Sequence, residues 1–183
     1  MREAIVSSIR KVLVEKVSDN GHYEEWCDEF MGYANEMVSE LQSDYMNGLG
    51  LRIVLNTGYN FGRKRWLAVY EQSSGKLSQG IISIGVNLPL IYRTMKRKGI
   101  VDDGFNIEAQ ARISIGHEVG HGIVDYLTDY YDGDSEAVQE FLNGYWNGDY
   151  DEEELVEEFG EWCFPDATGV YSSVLGDLLE EIV

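Results

Sequence analysis

Two of the three histidines in this 183-residue chain, His117 and His121, lie in the stretch ISIGHEVGHGIVDY at residues 113–126. Residues four apart on a helix share one face about one turn from each other, so these two imidazoles can bind a single ion. Glu118 is rotated by about 100° from His117, which suits contact with a water beside the ion better than ligation. The HExxH pattern therefore predicts a metal held by His117 and His121, with Glu118 as the general base.

The expected metal is zinc. Zn2+ suits two neutral imidazoles and a carboxylate, and it leaves a fourth position for a water whose pKa it lowers. Glycines stand at positions 116, 120 and 122, although each costs a helix interior about 1 kcal/mol relative to alanine. We therefore expect close backbone packing around the site at these positions.

The third protein ligand is harder to find, because no histidine follows His121. His22, which we interpret as a capping or surface histidine, would have to reach across the fold. Asp125 lies about 12 Å of helical rise beyond His117 and cannot share the ion with both histidines. The better source is the acidic segment DEEELVEEFGEWC at 151–163, on which the apolar stripe brings Glu152 and Glu158 nearer the core than Glu153.

The sequence HEVGH followed by EELVEEFG resembles the gluzincin metallopeptidases, whose thermolysin-like members carry HExxH and then Glu-x-x-x-Asp-x-Phe-Gly on a later helix. The resemblance covers about 45 residues and implies that Glu153 is the third zinc ligand. It places Glu157 where the family has an aspartate beside the ligands, and it matches Phe159 and Gly160 to the end of the motif. An aspartate-glutamate run replaces the family's asparagine before the ligand, and Glu153 is 32 residues beyond His121. The alternatives Glu154, Glu157 and Glu158 therefore stay open.

In its small size and its strands before the HExxH helix, the chain resembles minigluzincins or ImmA/IrrE-type peptidases more than full-length thermolysin relatives. This resemblance implies an α+β zincin-like domain, with a small antiparallel sheet packed against the HExxH helix and additional helices. It also implies that the strand IISIGV lines the cleft and pairs with substrate. Residues 1–183 would form one domain, with N-terminal helices (1–48), the sheet and HExxH helix (49–128) and an acidic helical part that carries the third ligand (129–183).

Hydrophobic periodicity and capping residues predict the elements that position these groups. A first helix should end near residue 16, with a break at SDNG (18–21) before a longer helix. Three strands, expected as an antiparallel meander, occupy 51–56, 64–72 and 80–86. Helices should then begin after Asn87, span 106–128, and begin again after Ser135 and after Asp149 or Asp151, before a last helix in SSVLGDLLEEIV.

Charge is distributed unevenly along the chain. Residues 1–112 carry 14 acidic and 14 basic side chains, whereas residues 113–183 carry 19 acidic and no basic ones, which accounts for the net charge of -19. This distribution disfavours nucleic acid and anionic membranes as partners and favours basic protein segments. Cys27 and Cys163 form no pairing motif, and the N-terminus has no signal-peptide pattern, so we expect a cytoplasmic protein.

The leading hypothesis is a zinc metalloendopeptidase that hydrolyses a protein or peptide substrate with a preference for basic segments. An oxyanion would need a donor besides zinc, and the candidates are Arg112 or one of several tyrosines (Tyr130, Tyr131, Tyr145, Tyr150, Tyr171). The alternative is a non-catalytic acidic interaction or inhibitor protein on the same scaffold, of the kind that a phage or mobile element could encode.

Overall fold

The computed structural model describes residues 2–62, 65–72 and 75–183, with side chains from residue 21 onward. Within these ranges the chain forms an α+β fold whose elements follow in the order α1 (Arg2–Leu41), a π-helical turn (Gln42–Met46), β1 (Arg52–Asn56), β2 (Ala68–Tyr70), a 3-10 turn (Leu77–Gln79), β3 (Ile81–Val86), α2 (Leu88–Lys98), α3 (Gly104–Asp129), α4 (Glu136–Asn147), α5 (Glu152–Trp162), α6 (Pro165–Thr168) and α7 (Val174–Ile182).

The three strands form a mixed sheet in the order β1-β3-β2. β1 and β3 are parallel, whereas β2 and β3 are antiparallel. The predicted antiparallel meander is therefore wrong. A meander would put β2 in the middle, but the continuous apolar run IISIGV is the strand that is buried along nearly its whole length, and such a strand belongs in the centre of a sheet.

The second strand is shorter than predicted. Of the expected range 64–72, only Ala68–Tyr70 forms a strand, and residue 64 lies outside the described residues. Leu67 and Glu71 continue the backbone pairing with β3 at either end, through bonds of 2.8 Å to Asn87 and Ser83. β2 is thus a short edge strand.

The N-terminal helix is continuous through the predicted break at 18–21, so that expectation is also wrong. Gly21 lies inside α1, and one interior glycine costs about 1 kcal/mol, which the buried face that follows it can offset. That face, with Trp26, Phe30 and Leu41, belongs to the hydrophobic core. His22 is therefore not a cap; it lies within α1, and its Nε2 is 3.0 Å from Asp102 Oδ1.

Local start and stop signals succeed in the rest of the chain. The side chains of Asn87, Ser135 and Asp151 each accept a hydrogen bond from a backbone N–H in the first turn of α2, α4 and α5, as predicted. Asp103 caps α3 in the same way, so this helix begins two residues before the predicted boundary. In the described part of the chain, no helix has the length and apolar character required to cross a membrane.

Candidate metal centre

The third helix presents both histidines of the motif on its more open side. The ring centroids of His117 and His121 are 5.1 Å apart, and the rings are nearly perpendicular. Intervening and flanking residues on the other side of α3, such as Ile115, Val119 and Ile123, are fully buried. The helix is therefore fixed by its core face, and the two imidazoles stand one turn apart on a rigid element.

Close packing between α3 and α5 brings the acidic helix to the histidines. A β-carbon added at Gly160 would lie 2.8 Å from the Ile113 carbonyl oxygen and 3.0 Å from the His117 nitrogen. One added at Gly116 would lie 2.8 Å from Cys163 Sγ, and one at Gly120 would lie 3.1 Å from Val156 Cβ. The expectation that these glycines allow close backbone packing is confirmed for the helix pair that carries the site.

Glu153 is the glutamate of α5 whose carboxylate lies near both histidines. Its Oε1 is 3.7 Å from His121 Nε2, and its Oε2 is 3.8 Å from His117 Nε2. The three residues each offer one ligand atom, and these atoms lie within 4.8 Å of one another. Ligands bound tetrahedrally at about 2.1 Å stand roughly 3.4 Å apart. Two imidazole nitrogens and a carboxylate at this spacing fit a divalent metal ion after a small contraction.

The other candidate ligands do not join this group. Glu154 and Glu158 line a separate groove with Tyr150 and Val174. Glu157 is exposed and acts on His117 through its charge. His22 is paired with Asp102, as described above.

Burial and the neighbouring His121 favour the neutral form of His117. Burial lowers the pKa of His117, the neighbouring His121 lowers it further, and the Glu153 and Glu157 carboxylates oppose this shift. A neutral imidazole is the form that ligates a metal.

The side chain of Glu118 extends from α3 to the edge strand of the sheet. Its Oε2 accepts a hydrogen bond of 2.6 Å from the Tyr70 backbone N–H, which binds the catalytic candidate to β2. Burial raises the pKa of Glu118, while the Tyr70 N–H partly offsets this effect. A carboxyl group with a raised pKa is better suited to accept and return a proton near neutral pH.

A second layer of contacts surrounds His121, and sequence reasoning did not assign it. His121 Nδ1 is 2.7 Å from Glu152 Oε1, and the Tyr145 hydroxyl donates a 2.6 Å hydrogen bond to Glu152 Oε2. A signal for Glu152 was present, because the apolar stripe of α5 places it on the inner side of the helix. Tyr145 was considered only as an oxyanion donor, and its contact with Glu152 depends on how α4 packs.

The cleft over these residues has a volume of about 550 Å³. β2 and Gln72 line one wall, while residues of α3 and α5 line another. The expectation that IISIGV pairs with substrate is wrong, because β3 has a neighbouring strand on each side. β2 is the strand at this edge of the sheet, and its residues line the cleft.

The structure also separates the candidate oxyanion donors. Arg112 is bound to Glu40 and Glu108 at 2.6 and 2.9 Å, lies over the ring of Phe164, and does not line the cleft. Among the described residues, the tyrosines that line the cleft are Tyr59 and Tyr70, which the sequence argument did not consider. Tyr130, Tyr131, Tyr145, Tyr150 and Tyr171 are not part of that lining.

Comparison of the chain with protein-family models, curated proteins and solved structures finds no match. The case for a function therefore rests on the motif and on the geometry of the cleft.

Proposed function

We propose that this protein is a zinc-dependent metallopeptidase with a zincin-like fold. The observation that carries the proposal is that His117, His121 and Glu153 each place one ligand atom within 4.8 Å of the others. Glu118 lines the same cleft as these three residues. The HExxH pattern alone fixes only three positions. A carboxylate as the third ligand, supplied by a different helix at 3.7 and 3.8 Å from the two histidines, is an independent requirement of such a site, and Glu153 provides it.

Each residue of the site has a role in this reaction. His117, His121 and Glu153 would hold zinc, which supplies Lewis-acid polarisation of a carbonyl and lowers the pKa of a water. Glu118 takes a proton from the attacking water and delivers it to the leaving amine. Its Oε2 is occupied by the Tyr70 N–H, whereas Oε1 has no hydrogen-bond partner among the described residues. Oε1 is therefore the atom that carries the proton.

The outer edge of β2, which pairs with no further strand among the described residues, offers a surface for an extended peptide. The Glu71 N–H donates to the Ser83 carbonyl of β3, so the backbone polar groups of residue 71 face the sheet. Because these groups alternate in direction along a strand, those of Ala68 and Tyr70 face away from β3, towards the cleft. The contact between the Tyr70 N–H and Glu118 agrees with this direction. A substrate strand that pairs here would bring a peptide bond over the metal ligands, as strand addition does at other sheet edges.

The test uses neighbouring glutamates as a matched pair. Glu153→Gln should abolish stoichiometric zinc binding and hydrolysis of an unfolded protein, whereas Glu154→Gln, one residue away and directed to another groove, should retain both. His117→Ala should behave as Glu153→Gln does. Glu118→Gln should keep zinc and lose roughly 10²- to 10⁴-fold in turnover, because it removes only the proton carrier.

Zinc content by elemental analysis and cleavage by mass spectrometry of the products provide the two readouts. If Glu153→Gln binds zinc as the wild type does, the proposed ligand set is wrong. Full zinc occupancy without hydrolysis by the wild-type protein would favour the non-catalytic interaction protein, and the Glu118→Gln variant would then act like wild type in a partner assay.

A further inference from the structure

We propose that Tyr145 of α4 is a positioning residue for the metal site, acting through Glu152 on His121. The inference rests on the metal site of the proposed function, and it assigns a role to α4, which lies between the HExxH helix and the ligand helix in the chain. Three side chains from three helices carry it: His121 from α3, Glu152 from α5 and Tyr145 from α4.

The two ring nitrogens of His121 have different partners. Nε2 faces Glu153 and must be unprotonated to bind a metal, so the proton lies on Nδ1. Nδ1 is 2.7 Å from Glu152 Oε1, and it therefore donates to that carboxylate. A carboxylate in this position fixes the tautomer and the ring orientation, and it makes the other nitrogen a better ligand.

The adjacent glutamates Glu152 and Glu153 both lie in the first turn of α5 and both line the cleft. Glu152 has one oxygen beside His121 and accepts a 2.6 Å hydrogen bond from the Tyr145 hydroxyl at the other. With both oxygens engaged, Glu152 is held back from the metal position, and Glu153 is left to occupy it.

The ring of Tyr145 is held by aromatic packing. The Tyr145 ring stacks on Phe141 with a centroid distance of 5.9 Å, and Phe141 also stacks on Tyr150 at 5.7 Å. Phe141 is itself buried in the core. Burial and the Glu152 carboxylate raise the pKa of Tyr145, so the phenol stays protonated and remains a hydrogen-bond donor. The hydroxyl is thus presented by a packed ring.

The experiment measures zinc affinity of the full chain by competition with a chelating dye. Tyr145→Phe keeps the stacked ring, removes the hydroxyl and should weaken zinc binding about 10-fold, within the range of about 10- to 100-fold known for groups that orient metal ligands. Glu152→Gln should weaken it at least as much. The double variant should be no weaker than Glu152→Gln alone, because Tyr145 acts only through that carboxylate.

Tyr150→Phe is the matched control, since it removes a hydroxyl from the same aromatic stack and should leave zinc affinity unchanged. Cobalt in place of zinc gives a second readout: the visible spectrum should change in Tyr145→Phe and not in Tyr150→Phe. Melting of the metal-free variants should show that both fold as the wild type does.

Zinc affinity of Tyr145→Phe equal to that of wild type overturns the inference, as do additive losses in the double variant or an equal loss in Tyr150→Phe. These outcomes differ from failure of the proposed function. A wild-type protein that binds zinc but hydrolyses nothing would contradict the peptidase and leave the role of Tyr145 standing. A wild-type protein that binds no zinc would overturn both.

Discussion

Among single residues, Glu71 shows how a charged group is held in the wall of the cleft. Its side chain is only 9% exposed, and two donors compensate its buried charge. Lys76 Nζ donates to Oε2, and Asn56 Nδ2 donates to Oε1 at 3.1 Å. Lys76 Nζ also donates to Ser83 Oγ at 2.7 Å. Burial would raise the pKa of Glu71, but these donors and the Lys76 charge together hold it below its usual value.

This arrangement predicts a stability that depends on pH. A carboxyl group whose pKa is lower in the folded than in the unfolded state stabilises the fold above the unfolded pKa, and the effect disappears as pH falls through the folded pKa. Glu71→Gln should therefore lower the free energy of unfolding by about 2 kcal/mol at neutral pH. The difference from wild type should shrink as pH falls below about 4.

Urea unfolding of the two proteins across that pH range measures this difference. Glu25→Gln provides a control, since the Glu25 side chain is exposed on α1 and makes no hydrogen bond among the described residues. A difference between wild type and Glu71→Gln that stays constant at all pH values would show that the mutation acts through packing instead of charge.

At the residue scale, the contacts that could be predicted are those between residues close to each other in the sequence. His117, Glu118 and His121 lie within five positions of one helix, so their arrangement follows from helical geometry alone. Periodicity gave no preference for Glu153, and only the motif resemblance selected it. Tyr145 was named only as a possible oxyanion donor, and its contact with Glu152 could not be predicted, because that contact depends on the turn between α4 and α5 and on aromatic packing beneath it.

At the scale of elements, the crossing of α3 and α5 determines whether the site exists. Gly160→Ala would place a methyl group 2.8 Å from the Ile113 carbonyl oxygen, a backbone atom that cannot move aside cheaply. We expect the helices to separate, with a loss of about 1 to 3 kcal/mol in the free energy of unfolding. Zinc affinity should fall as well, because Glu153 is carried away from the histidines.

Gly32→Ala is the matched substitution, in α1, where nothing lies within 4 Å of the added methyl group. It should stabilise the protein by about 0.5 to 1 kcal/mol, through helix propensity alone. Denaturant unfolding and a zinc titration compare the two variants. If Gly160→Ala retained wild-type zinc affinity, the close approach of the helices would not be what assembles the site.

The elements also show which predictions local sequence can support. Caps at Asn87, Ser135 and Asp151 were predictable, since a cap needs only a side chain and the next turn. The order of the strands was not, because pairing β1 with β3 depends on contacts between residues about 29 positions apart, such as Arg52 with Ile81. The break predicted at 18–21 failed because the packed face after it outweighs one glycine.

For the molecule as a whole, the acidic C-terminal part contributes directly to the cleft. Four of its carboxylates, namely Glu118, Asp125, Glu152 and Glu153, line the cleft together with Glu71, which is paired with Lys76, and no lysine or arginine is found among the described lining residues. Residues 113–183 add 19 acidic side chains without a basic one. A cleft with walls of one charge sign focuses that field on its opening.

Basic peptides should therefore bind and be cleaved in preference to acidic ones. Matched Lys/Arg-rich and Asp/Glu-rich peptides, compared across a salt series, should differ most at low ionic strength. The difference should narrow as the Debye length falls to about 8 Å at physiological salt. Binding to the Glu118→Gln variant measures attraction separately from turnover.

Two aspartates of α3 locate the source of the preference. Asp125 lines the cleft, with Gln72 Nε2 3.4 Å from its Oδ1, whereas Asp129 is exposed and outside the lining. Asp125→Asn should reduce the preference for basic peptides more than Asp129→Asn, because a charge close to a partly desolvated ligand is screened less than one in open water. Equal effects of the two substitutions would assign the preference to the overall field of the acidic half.

Equal binding and cleavage of both peptide classes at every salt concentration would mean that the acidic side chains serve solubility and select no substrate.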